Sequence, residues 1–145
     1  MLTLLASAVF AQTPTPDAEF EALKRRLERA GFEVRLSPPP QSGAYGQLAV
    51  KTRIIWIHPI VFELHIARPT LIHEATHAAQ VCAGGGKIQP LGLSLEPINY
   101  ARPFFFHYQH PRRRDLEREA YAVQTQPNSY ELVTALLNKH CIFVD

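Results

Sequence analysis

Apolar residues recur at helical spacing at the start of the chain's patterned region: Phe20, Leu23, Leu27 and Ala30 share one face over 17–30. Asp17 is placed to cap that helix and Gly31 follows its end. The period then changes. Phe32, Val34 and Leu36 alternate with polar residues as in a half-buried strand, which Pro38-Pro39-Pro40 terminates. After a glycine-containing loop, residues 47–57 read as extended chain ending in the β-rich run Ile54-Ile55-Trp56-Ile57 and closing at His58-Pro59. A short helix is expected between Pro59 and Ala67. The segment 69–82 reads as one longer helix, with proline early and Gly84-Gly85-Gly86 just beyond its end. On that helix Leu71, Ile72, Ala75, Ala78, Ala79 and Cys82 form an apolar side, and His73, Glu74, Thr76, His77 and Gln80 form the polar stripe. Two further helices are expected: 114–124, with Leu116, Ala120 and Val123 on one face, and 128–138, capped by Asn128-Ser129 and burying Leu132, Ala135 and Leu136. Between them and the 69–82 helix, Phe104-Phe105-Phe106-His107-Tyr108 reads as core or helix-packing material, with a pocket wall as the alternative. Few short strands among many helices predict an α+β domain.

At 145 residues and a net charge of +2, the chain is long enough for one core and too nearly balanced to argue for nucleic acid. The expected organisation is a signal segment over 1–11, a linker over 12–16 and a single domain over 17–145. The leader is apolar, ends in small residues with Val9 and Ala11 at the cleavage positions, and is too short to span a bilayer, which needs about 20 apolar residues. Export to a periplasmic or extracellular compartment follows as an expectation, with no stable membrane span. In such a compartment Cys82 and Cys141 either pair or persist as buried thiols; spacing does not choose.

The chemistry sits on the 69–82 helix. His73-Glu74-Ala75-Thr76-His77 is an HExxH pattern. Histidines four apart project from one helical face with Cβ atoms about 5–6 Å apart, so both can reach one metal ion. Glu74 lies about 100° further round and flanks that ion, placed to accept a proton from an activated water. A catalytic zinc takes three protein ligands and leaves one position open. The metzincin continuation, with a glycine and a third histidine on the same segment, is excluded because Gln80 and Ala83 stand at those offsets. The alternative source is a glutamate on the 114–124 helix, which carries two, Glu117 and Glu119, about 200° apart. Periodicity leaves both open. Arg112-Arg113-Arg114, just before them, reads as a solvated charge run or as the mark of an anionic partner.

Glu117-Arg118-Glu119-Ala120-Tyr121 resembles the Glu-x-x-Ala-Asp element of gluzincin metallopeptidases, and with His73 to His77 it carries the whole of the resemblance. The resemblance implies Glu117 as the third ligand beside His73 and His77, Zn²⁺ as the cofactor and Glu74 as general base. It also implies a small zincin-like architecture, in which a short sheet packs on the HExxH helix and a second helix brings the third ligand. Tyr121 departs from the pattern, standing where the family commonly has an aspartate that orients a ligand histidine; its hydroxyl could make a similar hydrogen bond but cannot supply the same negative charge. The strand before His58 is expected to edge the cleft and pair with an extended substrate. The implied function is a zinc-dependent metalloprotease acting through a metal-activated water on peptide or protein substrates. The competing expectation is a non-catalytic zincin scaffold that binds metal and a peptide or cell-envelope partner. Candidates for stabilising a tetrahedral intermediate are His107, Tyr108 and His110, whereas His58, His65 and His140 read as structural.

Overall fold

In the computed structural model, which describes residues 16–144, the first helix, α1 (Pro16–Arg29), follows the apolar periodicity. Phe20, Leu23 and Leu27 are buried on one side, and Asp17 and Glu19 place negative charge in the first turn. Asp17 is therefore inside the helix instead of capping it. The expected signal segment and residues 12–15 of the expected linker lie outside the described residues.

Three strands follow: β1 (Glu33–Arg35), β2 (Gly46–Ala49) and β3 (Ile54–Ile57). β1 is short, and Leu36, the third apolar position of the expected alternation, falls beyond it and is exposed. The stretch expected to run extended from 47 to 57 is a hairpin, because Lys51-Thr52-Arg53 turn back. Arg53 adopts a left-handed φ of 56° and donates its N–H to the Ala49 carbonyl at 2.8 Å. The sheet order is β1-β3-β2, with β1 parallel and β2 antiparallel to β3. β3 is therefore the middle strand, and the expectation that the strand before His58 would be the cleft edge is corrected. Both sides of β3 are already paired, and the outer position beside the site belongs to β2.

The sheet leads through α2 (Ile60–Glu63), the expected short bridging helix, into α3 (Ala67–Ala83). Beyond α3, a connection containing a 3-10 turn (Asn99–Ala101) and α4 (Arg102–Phe106) leads to α5 (Pro111–Gln124) and α6 (Ser129–His140). α3 is the centre of the molecule: α1, the sheet, α5 and α6 all pack on it. Its Leu71, Ile72, Ala75, Ala78 and Ala79 join Phe20, Leu23 and Leu27 of α1, Ile55 and Ile57 of β3, and Val133 and Leu137 of α6 in one core. The buried face of α6 is thus rotated from the expected one: Val133 and Leu137 are its buried hydrophobic residues, Leu132 and Leu136 are half-buried and Ala135 is exposed. Within the aromatic cluster only Phe105 is core; Phe104 and Phe106 are about half exposed. Cys82 and Cys141 form a disulfide that ties the end of α3 to the segment after α6. Among the described residues no helix is long and apolar enough to cross a membrane.

Candidate metal centre

α3 is held at both ends by local geometry. His65 takes a left-handed φ of 57° just before it, and Pro69 sits in its first turn, where a missing N–H leaves no intrahelical bond unmade. At the other end Gly84 is required by close approach. A Cβ there would lie 1.5 Å from the Lys87 carbonyl oxygen. Between these ends the helix is buried nearly all round, so its polar groups need partners inside the protein. Thr70 and Thr76 satisfy theirs on the carbonyls of Ile66 and Ile72. The others converge.

His73 and His77 bring their Nε2 atoms to 3.2 Å from each other, and each meets one oxygen of Glu117. The distances are 3.1 Å from His73 to Oε2 and 3.2 Å from His77 to Oε1. Four-coordinate zinc with ligands at about 2.0–2.1 Å separates its donors by about 3.3 Å along each tetrahedral edge. The three donors already stand close to that spacing. His73, His77 and Glu117 form a group that could hold a metal ion. Two imidazoles and a carboxylate suit a borderline-soft divalent cation.

The other ring nitrogens are held as well. His73 Nδ1 lies 2.8 Å from Gln124 Oε1, and His77 Nδ1 lies 2.7 Å from Gln80 Oε1. An amide oxygen only accepts, so each Nδ1 carries the proton and each Nε2 is left as the donor to a cation. Gln80 is itself fixed, donating to the Leu116 carbonyl at 3.1 Å and to Glu119 at 3.0 Å. Glu119, the rival ligand of the sequence analysis, points away from the histidines. Fully buried, it accepts the backbone N–H groups of Leu91 and Leu93 at 2.7 and 2.9 Å. One glutamate of α5 reaches the centre and the other pins the loop beneath it.

Tyr121 does not make the hydrogen bond that its hydroxyl could have offered. Its ring packs edge-on against His73, with centroids 4.6 Å apart, and the orienting bond comes from Gln124. Gln80 and Gln124 are the functional positions that sequence reasoning missed. Both were available by spacing, Gln80 three residues after His77 and Gln124 seven after Glu117, but an amide at those offsets carries no motif.

Glu74 is 6 % exposed and faces the same cleft. Burial raises its carboxyl above the usual range, against the opposing charges of His73 and His77. Burial alone would lower His77, but the hydrogen bond and charge of Glu117 outweigh it and push His77 up to about 9. Burial alone would likewise raise Glu117, and the two histidines instead hold it well below the carboxylate range. Tyr121 is pushed up to about 12 by burial and by the negative charge of Glu117. Gly46 of β2 presses on Glu74: a Cβ there would stand 2.9 Å from both Cγ and Oε1 of the glutamate. This third missed position also had no sequence signal.

The centre opens into a cleft of about 880 Å³, bounded by β2, α3, α5 and the α4 segment. His107, Tyr108 and His110, the candidates for stabilising an intermediate, all line it, as does Phe104. The aromatic cluster is therefore divided between core and cleft wall. His58 Nδ1 accepts the N–H of Ile60 at 3.0 Å at the start of α2.

Fold and site together define a small α+β domain with a candidate metal centre on its central helix. The chain belongs to the family described as Domain of unknown function (DUF8637), whose model matches residues 53–142. That span contains β3, all three members of the metal group, Glu74 and both cysteines. No curated protein and no solved structure matches the chain.

Proposed function

We propose that the protein is a zinc-dependent metalloprotease, with His73, His77 and Glu117 as the metal ligands and Glu74 as general base. One observation carries this reading: three donors at tetrahedral spacing meet on the floor of an open cleft, with a buried carboxylate beside them that none of them needs as a ligand. A purely structural zinc site calls for a fourth protein ligand and has no use for Glu74. Zinc, when bound, supplies Lewis acidity, lowering the pKa of water and polarising a carbonyl.

The chain's own residues divide the remaining work. Gln80 and Gln124 keep the imidazoles in the tautomer that offers Nε2 to the cation. Glu74 takes the proton of the attacking water and returns it to the leaving amine. An extended peptide adds to the outer edge of β2, whose Gly46, Gln47 and Leu48 line the cleft. Such pairing binds through the backbone and tolerates many side chains. The Cys82–Cys141 disulfide supports export to an oxidising compartment.

The test combines metal analysis with a peptide-library cleavage assay on wild type and Glu74→Gln. The expected result is one zinc per chain in both, with cleavage only by the wild type. Zinc bound without cleavage of any peptide by the wild type would assign the domain to metal-dependent binding instead.

A further inference from the structure

The cleft is charged asymmetrically. Lys87, beyond the glycine turn that ends α3, and Arg112 and Arg113, in the first turn of α5, line one wall and are exposed. Among the described residues the carboxylates lining the cleft are Glu117, a member of the metal group, and Glu74 beside it. Among the described residues no carboxylate pairs with any of the three cations, whereas Arg118 on the same helix finds Glu96. The arginines are nevertheless positioned. Arg112 donates to the Ile88 carbonyl at 2.7 Å, and the Arg113 guanidinium stacks 4.8 Å above the Tyr108 ring. Arg113 is one helical turn before Glu117 on the face of α5 that looks into the cleft, which places their Cβ atoms about 6 Å apart. Positive charge in the first turn of a helix opposes its dipole, and α5 has no acidic residue there to relieve it. Arg112 and Arg113 of the charge run thus line the cleft, in a first turn that holds no acidic residue, while Arg114 turns to the Tyr108 carbonyl.

We propose that this wall is a carboxylate subsite, so that the preferred substrate is a peptide carrying a carboxylate close to the scissile bond. An aspartate or glutamate side chain and a C-terminal carboxylate present the same group, which the planar fork of an arginine holds with two hydrogen bonds. Concave walls of one charge sign raise the local concentration of opposite charge, adding a salt-dependent gain. The inference rests on the peptidase reading for its substrate, and the following test separates the two.

Binding is measured by anisotropy of tetramethylrhodamine-labelled decapeptides to zinc-loaded Glu74→Gln protein, which does not consume the probe. One pair differs by glutamate against glutamine beside the central bond, the other by a free against an amidated C-terminus. At least one acidic member should bind tenfold or more tightly than its neutral twin at 50 mM salt, and the pair that responds identifies the carboxylate. Adding Lys87→Gln and Arg113→Gln should bring that ratio below threefold, whereas adding Arg113→Lys alone, which keeps the charge and loses the fork, should leave an intermediate ratio. Zinc content and circular dichroism of each variant report folding independently. Equal binding within both pairs, absence of binding included, overturns the subsite, as does a preference that survives the double change. Cleavage without preference by the wild type leaves the peptidase reading standing alone; preference without cleavage leaves the subsite standing alone.

Discussion

His73, Glu74 and His77 were legible because a helix makes their spacing a statement about geometry: two imidazoles on one face and a carboxylate flanking them. Glu117 was legible only through resemblance, since Glu119 has equal standing by periodicity. What separates them is the loop at Leu91 and Leu93, whose backbone N–H groups claim Glu119 from outside any pattern in α5. Gln80 and Gln124 were illegible for the same kind of reason: an amide becomes an orienting group only once the helices are docked. Their removal should be felt at the metal. Gln124→Ala, which strips the acceptor from His73 Nδ1, should weaken zinc affinity by about 10–100-fold, and competition with a chelator of known affinity measures it. Gln124→Glu should restore much of that affinity, because a carboxylate accepts the same proton. A Gln124→Ala protein with undiminished affinity would remove the glutamine from the centre.

Among the elements, the long helices were read nearly to their ends, because one-sided burial leaves a 3.6-residue trace in α1 and α5 and because an early proline and a glycine run bracket α3. The sheet was read poorly. Residues 47–57 end in a β-rich run, and the reversal at Arg53 is made by an arginine in a conformation usually left to glycine or asparagine, so the sequence carries no turn signal there. This error moved the cleft edge from β2 to β3. The disulfide was one of two open alternatives, because only tertiary structure brings Cys141 to the end of α3. It closes a loop of 59 residues, a constraint on the unfolded chain worth about 4 kcal/mol. Changing both cysteines to serine should therefore lower unfolding free energy by roughly that amount, read from urea titrations of the metal-free protein. Val144 donates to the Arg29 carbonyl at 2.8 Å, so the same change should also loosen the terminal segment from α1, visible as faster amide exchange at Val144.

For the whole molecule, charge at the centre couples stability to pH. His77, raised from 6.5 to about 9, stabilises the metal-free fold fully below pH 6.5 and loses that contribution as pH rises through 9. Glu74, raised from 4.5, also loses its contribution as pH rises through its folded value. Glu117 is depressed from 4.5, so its contribution is present above that pH and lost on acidification. The metal-free protein should thus melt at progressively lower temperature from pH 6.5 to 9, and again below pH 4.5. Zinc needs the imidazoles unprotonated and should flatten the alkaline decline, which paired thermal scans with zinc and with chelator would reveal. A decline unchanged by zinc would detach His77 from metal binding. The position of α3 at the centre of the fold gives this coupling a mechanical sense. The disulfide rivets the last turn of α3 to the chain terminus, and an ion held between His73 and Glu117 would fasten its middle to α5 across 44 residues of sequence. The helix would then be clamped twice, once by a covalent bond and once by a coordinate one, and a reductant and a chelator would each open a different half of the same molecule.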